Sequence, residues 1–276
     1  MRFDENEIEW LADLMAQSAA AEIMPRFRKL EGEGIRHKTS PIDLVTEADV
    51  NAELVIAREL RARYPGALVV GEEACADNPS ILAGLQEAQF AFTIDPVDGT
   101  FNFASGLPLF GVMLAVVKNG EAVAGIIHDP VGGDWLIGVK GAGSHMRTAE
   151  GAETRLRVAE PAAVSSMSGS ISWQYLAEPE RSRLARNHAR CRSAIGYRCA
   201  AHEYRLLAAG HVHFAVYAKL MPWDHLPGTL IHGEAGGYAA RFDGSAYRPF
   251  HTDGGLLVAP DPESWRILRN ELWTEA

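Results

Sequence analysis

The sequence predicts an α/β (α+β) protein of two lobes with a cleft between them, and three observations carry that prediction. The chain has 276 residues, enough for two lobes at roughly 150 residues per domain. Its composition, 47% hydrophobic and 22% charged, is that of a soluble globular protein able to bury a sizeable core. Helix-spaced and strand-like apolar patterns also alternate along it, with no internal repeat.

Ile8, Leu11, Ala12, Leu14, Met15, Ala19 and Ile23 recur at helical spacing, so a first helix should end between residues 25 and 29. A second should follow Thr46, which can cap it, with Val50, Leu54, Ala57 and Leu60 as the apolar face. Short apolar runs at 68–70, 90–94, 112–117 and 122–127 read as strands. Lys118-Asn119-Gly120-Glu121 between the last two reads as a hairpin turn. Residues 1–143 therefore form an α+β lobe with a largely antiparallel sheet. In 144–276 the texture changes to alternating pieces: a strand in 164–171, helices in 178–190 and 199–209, and a strand in 212–217. A helix after Asp224, a strand in 256–259 and a last helix in 262–272 complete the second lobe.

Charge removes several functions. Lys and Arg number 26 against 36 Asp and Glu, a formal net charge of −10, so the chain repels phosphate backbones and anionic membranes at long range. A nucleic-acid polymer or a membrane surface is not the expected partner, and an anionic ligand would need a local reversal of sign. No apolar run approaches the roughly 18 residues of a membrane span. The start Met1-Arg2-Phe3-Asp4-Glu5 lacks the features of a signal peptide, which makes the cytoplasm the expected address. Cys75, Cys191 and Cys199 are odd in number and widely spread, so they read as neither a disulfide framework nor a structural zinc site.

The stretch Phe92-Thr93-Ile94-Asp95-Pro96-Val97-Asp98-Gly99-Thr100 carries the most chemistry. An apolar strand runs into two carboxylates three residues apart, with Pro96 fixing the backbone between them and Gly99 permitting a tight turn into a helix. Two carboxylates ~4 Å apart repel by about 4 kcal/mol at an effective dielectric near 20, so the pair calls for a proton or a cation. Oxygen-only donors suit Mg²⁺. Glu72-Glu73 ends another short strand, and Asp224 follows Trp223 at a helix start. Alone, the first would be a solvated pair and the second an N-cap.

Together these pieces resemble the inositol monophosphatase superfamily of Mg²⁺-dependent, lithium-sensitive phosphatases. The resemblance rests on Asp43-Leu44-Val45-Thr46-Glu47-Ala48-Asp49, Gly71-Glu72-Glu73, the segment from Asp95 to Phe103, Trp223-Asp224 and Glu234-Ala235-Gly236-Gly237, in order from Lys38 to Gly237. It implies a layered α-β-α-β-α sandwich of the inositol monophosphatase and fructose-1,6-bisphosphatase type. It also implies two or three Mg²⁺ ions: one on Glu72, Asp95 and the Val97 carbonyl, another on Asp95, Asp98 and Asp224, and a weaker third near Glu72. Glu72 and Thr100 would orient the attacking water with Asp49 in support, and the Gly99 and Thr100 amides would hold phosphate oxygens. Lys38 resembles the family's mobile-loop lysine. The implied activity is an inositol-1-monophosphatase-like hydrolysis of a small phosphorylated metabolite. Fructose 1,6-bisphosphate, 3′-phosphoadenosine 5′-phosphate and histidinol phosphate are alternative substrates, and a non-enzymatic binding protein on the same fold is an alternative of another class. A homodimer is what the family suggests.

The sequence departs from the family pattern at the substrate side. Tyr217 stands where members that grip inositol hydroxyls have glutamate. The segment that commonly abuts the substrate in the family reads Gly196-Tyr197-Arg198-Cys199-Ala200-Ala201, so Arg198 would meet a second anionic group there, and Asp98 is expected among the substrate contacts. Leu226-Pro227 replaces a pair of small residues after the acid.

Overall fold

A computed structural model describes residues 4–29, 35–37 and 44–275. Lys38 and Asp43 lie outside the described residues. In chain order the helices are α1 Glu5–Ser18, α2 Glu47–Arg63, α3 Glu72–Asp77, α4 Ser80–Ala83, α5 Thr100–Ala104, α6 Glu180–Asn187, α7 Ala200–Ala208, α8 Pro222–Glu234 and α9 Pro262–Trp273. A small antiparallel pair joins β1 Ile35–His37 to β2 Leu44–Thr46.

The larger sheet runs β3 Leu68–Gly71, β4 Phe90–Asp98, β5 Gly111–Lys118, β6 Glu121–Asp129, β7 Asp134–Val139, β8 Gly143–Thr148 and β9 Glu153–Arg155, in that spatial order. Only β3 and β4 are parallel. The β5–β6 hairpin turns on Asn119 and Gly120, at φ 50° and 75°, the pair of left-handed residues a tight turn between twisted strands requires. Two strands of this sheet lie beyond residue 143. The second sheet has the order β11-β10-β12-β14-β13, with β10 Ser168–Ile171, β11 Ser193–Ala194, β12 Phe214–Tyr217, β13 Tyr238–Arg241 and β14 Leu256–Ala259.

Side-chain alternation fixes the layering. On β5, Val112, Leu114 and Val116 join the core with α1 and α2, while Met113 faces the cluster of Tyr204, Leu207 and Ile231 from α7 and α8. On β12, Ala215 and Tyr217 face that same middle layer, and Phe214 and Val216 pack on Leu184 of α6 and Leu268 of α9. The order is α1/α2, large sheet, α7/α8, small sheet, α6/α9: the α-β-α-β-α sandwich the resemblance implies. The central strands β4, β5 and β12 are buried on both faces and so read as largely apolar runs.

Two local expectations change. Residues 164–166 form a 3₁₀ turn and the strand begins at Ser168. Asp224 is not an N-cap: α8 starts earlier, at Pro222, whose fixed φ and missing N–H suit the first helical position. Asp224 is thereby moved into the first turn, with Pro227 inside the helix.

Glycines set how closely α8 lies on its neighbours. A Cβ on Gly125 of β6 would stand 2.7 Å from the Pro227 carbonyl oxygen, and one on Gly228 would stand 2.0 Å from the Tyr204 ring. Helix α8, and Asp224 with it, is seated on β6 through backbone contact and on α7 through the Tyr204 ring.

Candidate active site

The acids singled out by the sequence come from four elements. Asp95 and Asp98 end β4, Glu72 opens α3 directly after β3, Asp224 lies in the first turn of α8, and Asp49 lies in the first turn of α2. Gly71 pairs with Ile94 in parallel register, so Glu72 leaves the sheet beside Asp95.

Asp49 is held by a reciprocal cap. Its Oδ2 accepts from the Thr46 amide at 2.9 Å and the Thr46 hydroxyl at 2.5 Å, and its Oδ1 lies 3.1 Å from the Thr100 hydroxyl. That hydroxyl is also 3.1 Å from the Val97 carbonyl. Both neighbours are acceptors, so the Thr100 proton is committed to them and its lone pairs remain to receive a donor. Gly99 takes φ 88°, and a Cβ there would meet the Leu109 carbonyl oxygen at 2.8 Å. Glycine is therefore required where the chain turns from Asp98 into α5.

Asp95 Oδ1 accepts from the Val97 amide at 3.0 Å. Asp98 Oδ2 accepts from the Ala201 amide at 2.6 Å and from the Cys199 thiol at 3.0 Å, both at the start of α7. Burial pushes the Asp95 carboxyl well above the ordinary carboxylate range, and Glu72, Asp98, Asp224 and Asp49 push it further. Asp224 is raised by burial, Glu72 and Asp98, against Lys219 and a hydrogen bond with Asp95. Asp98 is raised by burial, opposed by its hydrogen bonds from Ala201, Cys199 and Ala200. Burial and Asp98 hold the Cys199 thiol well above its usual value, so it acts as a neutral donor.

Among the described residues no three His, Cys, Asp or Glu side chains are grouped as a finished metal cage. The electrostatics nonetheless fit a hard divalent cation. The donors are oxygens, and the buried carboxyls of Asp95 and Asp224 are raised further by the acids around them, a repulsion that a cation would offset.

Tyr217 and Arg198 sit differently from each other. Tyr217 is 4% exposed, its ring stacked on Tyr204 at 5.4 Å and tilted against His225 at 4.5 Å. Burial, Glu203 and Tyr204 hold its phenol well above the usual range. Arg198 is half-buried, its guanidinium carbon 3.6 Å from the Phe101 ring centroid.

Sequence reasoning missed the supports. Glu53, buried on α2, accepts from the Glu73 and Ala74 amides at 2.7 and 2.9 Å and so anchors the start of α3 that carries Glu72. Its signal was available, because Asp49 and Glu53 are acids at i and i+4 on the buried face of α2. Glu203, its carboxyl raised by burial to about 7, accepts from the Tyr197 amide at 3.0 Å. Cys199 reaches Asp98 across 101 positions, and no local pattern announces that contact.

The chain as a whole is similar to known proteins. Residues 5–274 match the inositol monophosphatase family. The chain is 32% identical over 219 residues to a protein of Thermotoga maritima named fructose-1,6-bisphosphatase/inositol-1-monophosphatase, covering 79% of each chain. It is 30% identical over 266 residues to a Xylella fastidiosa protein named Nus factor SuhB, covering 93% of this chain and 87% of that one. Among solved structures, an inositol monophosphatase of Thermotoga maritima superposes with a TM-score of 0.79 at 26% identity, covering 97% of this chain and 98% of the other.

Proposed function

This chain belongs to the inositol monophosphatase family and is a phosphomonoester hydrolase; from that premise we propose that it is Mg²⁺-dependent and inositol-1-monophosphatase-like, and that it acts on a small phosphorylated metabolite. The observation that supports the reading is that two buried carboxyls are raised by burial and then by the acids around them, Asp95 by Glu72, Asp98, Asp224 and Asp49, and Asp224 by Glu72 and Asp98, because a fold with no use for a cation has no reason to keep that repulsion. In this reading Glu72, Asp95, the Val97 carbonyl, Asp98 and Asp224 hold two or three Mg²⁺ ions. Bound divalent ions would polarise the phosphate, acidify a water and offset charge on the departing alkoxide.

The chain's own groups do the rest. Thr100, its proton given to Asp49 or the Val97 carbonyl, accepts a hydrogen bond from the attacking water and so orients it. Glu72 takes up the proton that water loses, and Asp49 keeps Thr100 in place. The amides of Gly99 and Thr100 hold phosphate oxygens, and Asp98, Arg198 and Tyr217 border the alcohol portion. Attack by water needs no covalent phosphoenzyme.

Among the described residues no helix is long and apolar enough to cross a membrane; in this reading the enzyme is cytoplasmic and homodimeric. The test is phosphate release from inositol 1-phosphate, fructose 1,6-bisphosphate, 3′-phosphoadenosine 5′-phosphate and histidinol phosphate, each with and without Mg²⁺. Turnover that needs Mg²⁺ and favours inositol 1-phosphate is expected. A different winner reassigns the substrate, turnover without divalent metal removes the metal role, and no turnover on any favours a binding role.

A further inference from the structure

We propose that Glu203 is a positioning residue for Asp98, acting through the segment from Tyr197 to Ala201; this rests on the reading above in which Asp98 holds a divalent ion. Asp98 Oδ2 accepts from the Cys199 thiol at 3.0 Å and the Ala201 amide at 2.6 Å, groups 101 and 103 positions away. Asp98 thereby serves α7 as the N-terminal acceptor that Cys199, at the N-cap position, does not supply. The segment that brings these donors is irregular. Arg198 has φ 56° and Cys199 is extended at φ −158°, so neither a helix nor a sheet ladder fixes the backbone there. Two buried side chains hold it instead, both at Tyr197. Glu203, in the first turns of α7 and 3% exposed, accepts from the Tyr197 amide at 3.0 Å. Asn102 of α5, equally buried, donates to the Tyr197 carbonyl at 2.9 Å and to the Leu109 carbonyl at 2.8 Å.

The segment also lies directly against the turn that carries Asp98. Gly111 of β5 is paired with Asp98, and a Cβ there would stand 2.7 Å from the Ala201 Cβ. A Cβ on Gly99, the residue after Asp98, would stand 3.1 Å from the Cys199 Cβ. Glycines on both sides of Asp98 thus leave no slack between it and its donors, and a shift of the segment is passed to the carboxylate. A group that orients a ligand in this way typically governs roughly 10–100-fold of metal affinity. The contribution of Glu203 is reach more than charge. Burial raises its carboxyl to about 7, and Ser170 also hydrogen-bonds to it, so near neutral pH it is only partly ionised and an amide of the same length can take its place.

The experiment is calorimetric titration of the metal-free full chain with Mn²⁺, alongside melting temperatures and the Mg²⁺ dependence of phosphate release from inositol 1-phosphate, in wild type, Glu203→Gln and Glu203→Asp. Gln keeps an acceptor at the same reach, and Asp keeps the acid but is one methylene short. Glu203→Gln should bind Mn²⁺ within about threefold of wild type, and Glu203→Asp about tenfold more weakly. Half-saturating Mg²⁺ should rise to match in Glu203→Asp, while its KM for inositol 1-phosphate at saturating Mg²⁺ stays within about twofold of wild type. A Glu203→Asp protein that melts lower yet binds Mn²⁺ like wild type has lost stability alone and overturns the proposal. Loss of affinity in Glu203→Gln with Glu203→Asp intact makes charge the cause and also overturns it. If Glu203→Asp does not fold, Asn102→Ala, which frees the other side of the same peptide, takes its place with the same expected weakening, and unchanged Mn²⁺ affinity there overturns the proposal. A wild type that binds Mn²⁺ but hydrolyses nothing overturns the phosphatase reading alone, and the Mn²⁺ titrations still decide. A wild type that binds no Mn²⁺ overturns the metal reading and the proposal with it.

Discussion

Asp95→Asn is expected to lower phosphate release about a thousandfold, on the order of 4 kcal/mol of transition-state stabilisation, while making the metal-free protein more stable. Asn keeps the acceptor that receives the Val97 amide and removes the charge facing Glu72, Asp98, Asp224 and Asp49. Each kcal/mol of repulsion relieved should raise the melting temperature by about 2–4 °C. The pH dependence follows from the direction of the shift. The folded-state pKa of Asp95 is raised, so as pH climbs the unfolded chain releases this proton first and the folded chain retains it. The stabilisation is complete below the ordinary carboxylate range and is lost as pH rises through the elevated value. Asn has no such loss, so the melting-temperature gap between variant and wild type, both metal-free, should open with rising pH. Retained Mg²⁺-dependent turnover would remove Asp95 from the ligand set, and a gap that does not change with pH would refute the electrostatic account.

Gly228→Ala is expected to be the most damaging single methyl in the middle layer. The added Cβ would stand 2.0 Å from the ring of Tyr204, which is fully buried and cannot step aside. Overpacking of this kind costs about 3 kcal/mol, or roughly 6–12 °C in a chain of this size. Activity should fall with it, because α8 carries Asp224. Gly233→Ala on the same helix is the control: a Cβ there meets nothing within 4 Å, and the helical preference of Ala should leave stability unchanged or raised by about 1 kcal/mol. Equal melting temperatures for the two variants would contradict the close seating of α8.

The strands near the site were legible because both faces of the large sheet are buried. The runs at 68–70, 90–94, 112–117 and 122–127 are unbroken apolar stretches, and Asn119-Gly120 marks the turn. Strands β8 and β9 were not legible, since Gly143–Thr148 and Glu153–Arg155 carry polar residues on half-exposed or exposed positions. The start of α8 was misplaced because Asp224 is a good cap by type, whereas Pro222 two residues earlier settles the first helical position. The acids themselves were legible one by one as strand or helix ends. Their convergence was not, because it depends on β3 and β4 running parallel and on α8 resting against Gly125 of β6. The supports from Glu53, Cys199 and the Ala201 amide act across 20 to 103 positions, beyond the reach of any local pattern.

The central claim is that these carboxylates form a pocket for divalent cations. Crystals grown with millimolar Mn²⁺, a scatterer that can stand in for Mg²⁺, test it through anomalous difference density. One or more peaks are predicted within about 2.0–2.3 Å of carboxylate oxygens of Glu72, Asp95, Asp98 and Asp224. Ordered carboxylates with no peak among them, or metal density only elsewhere on the protein, would contradict the account.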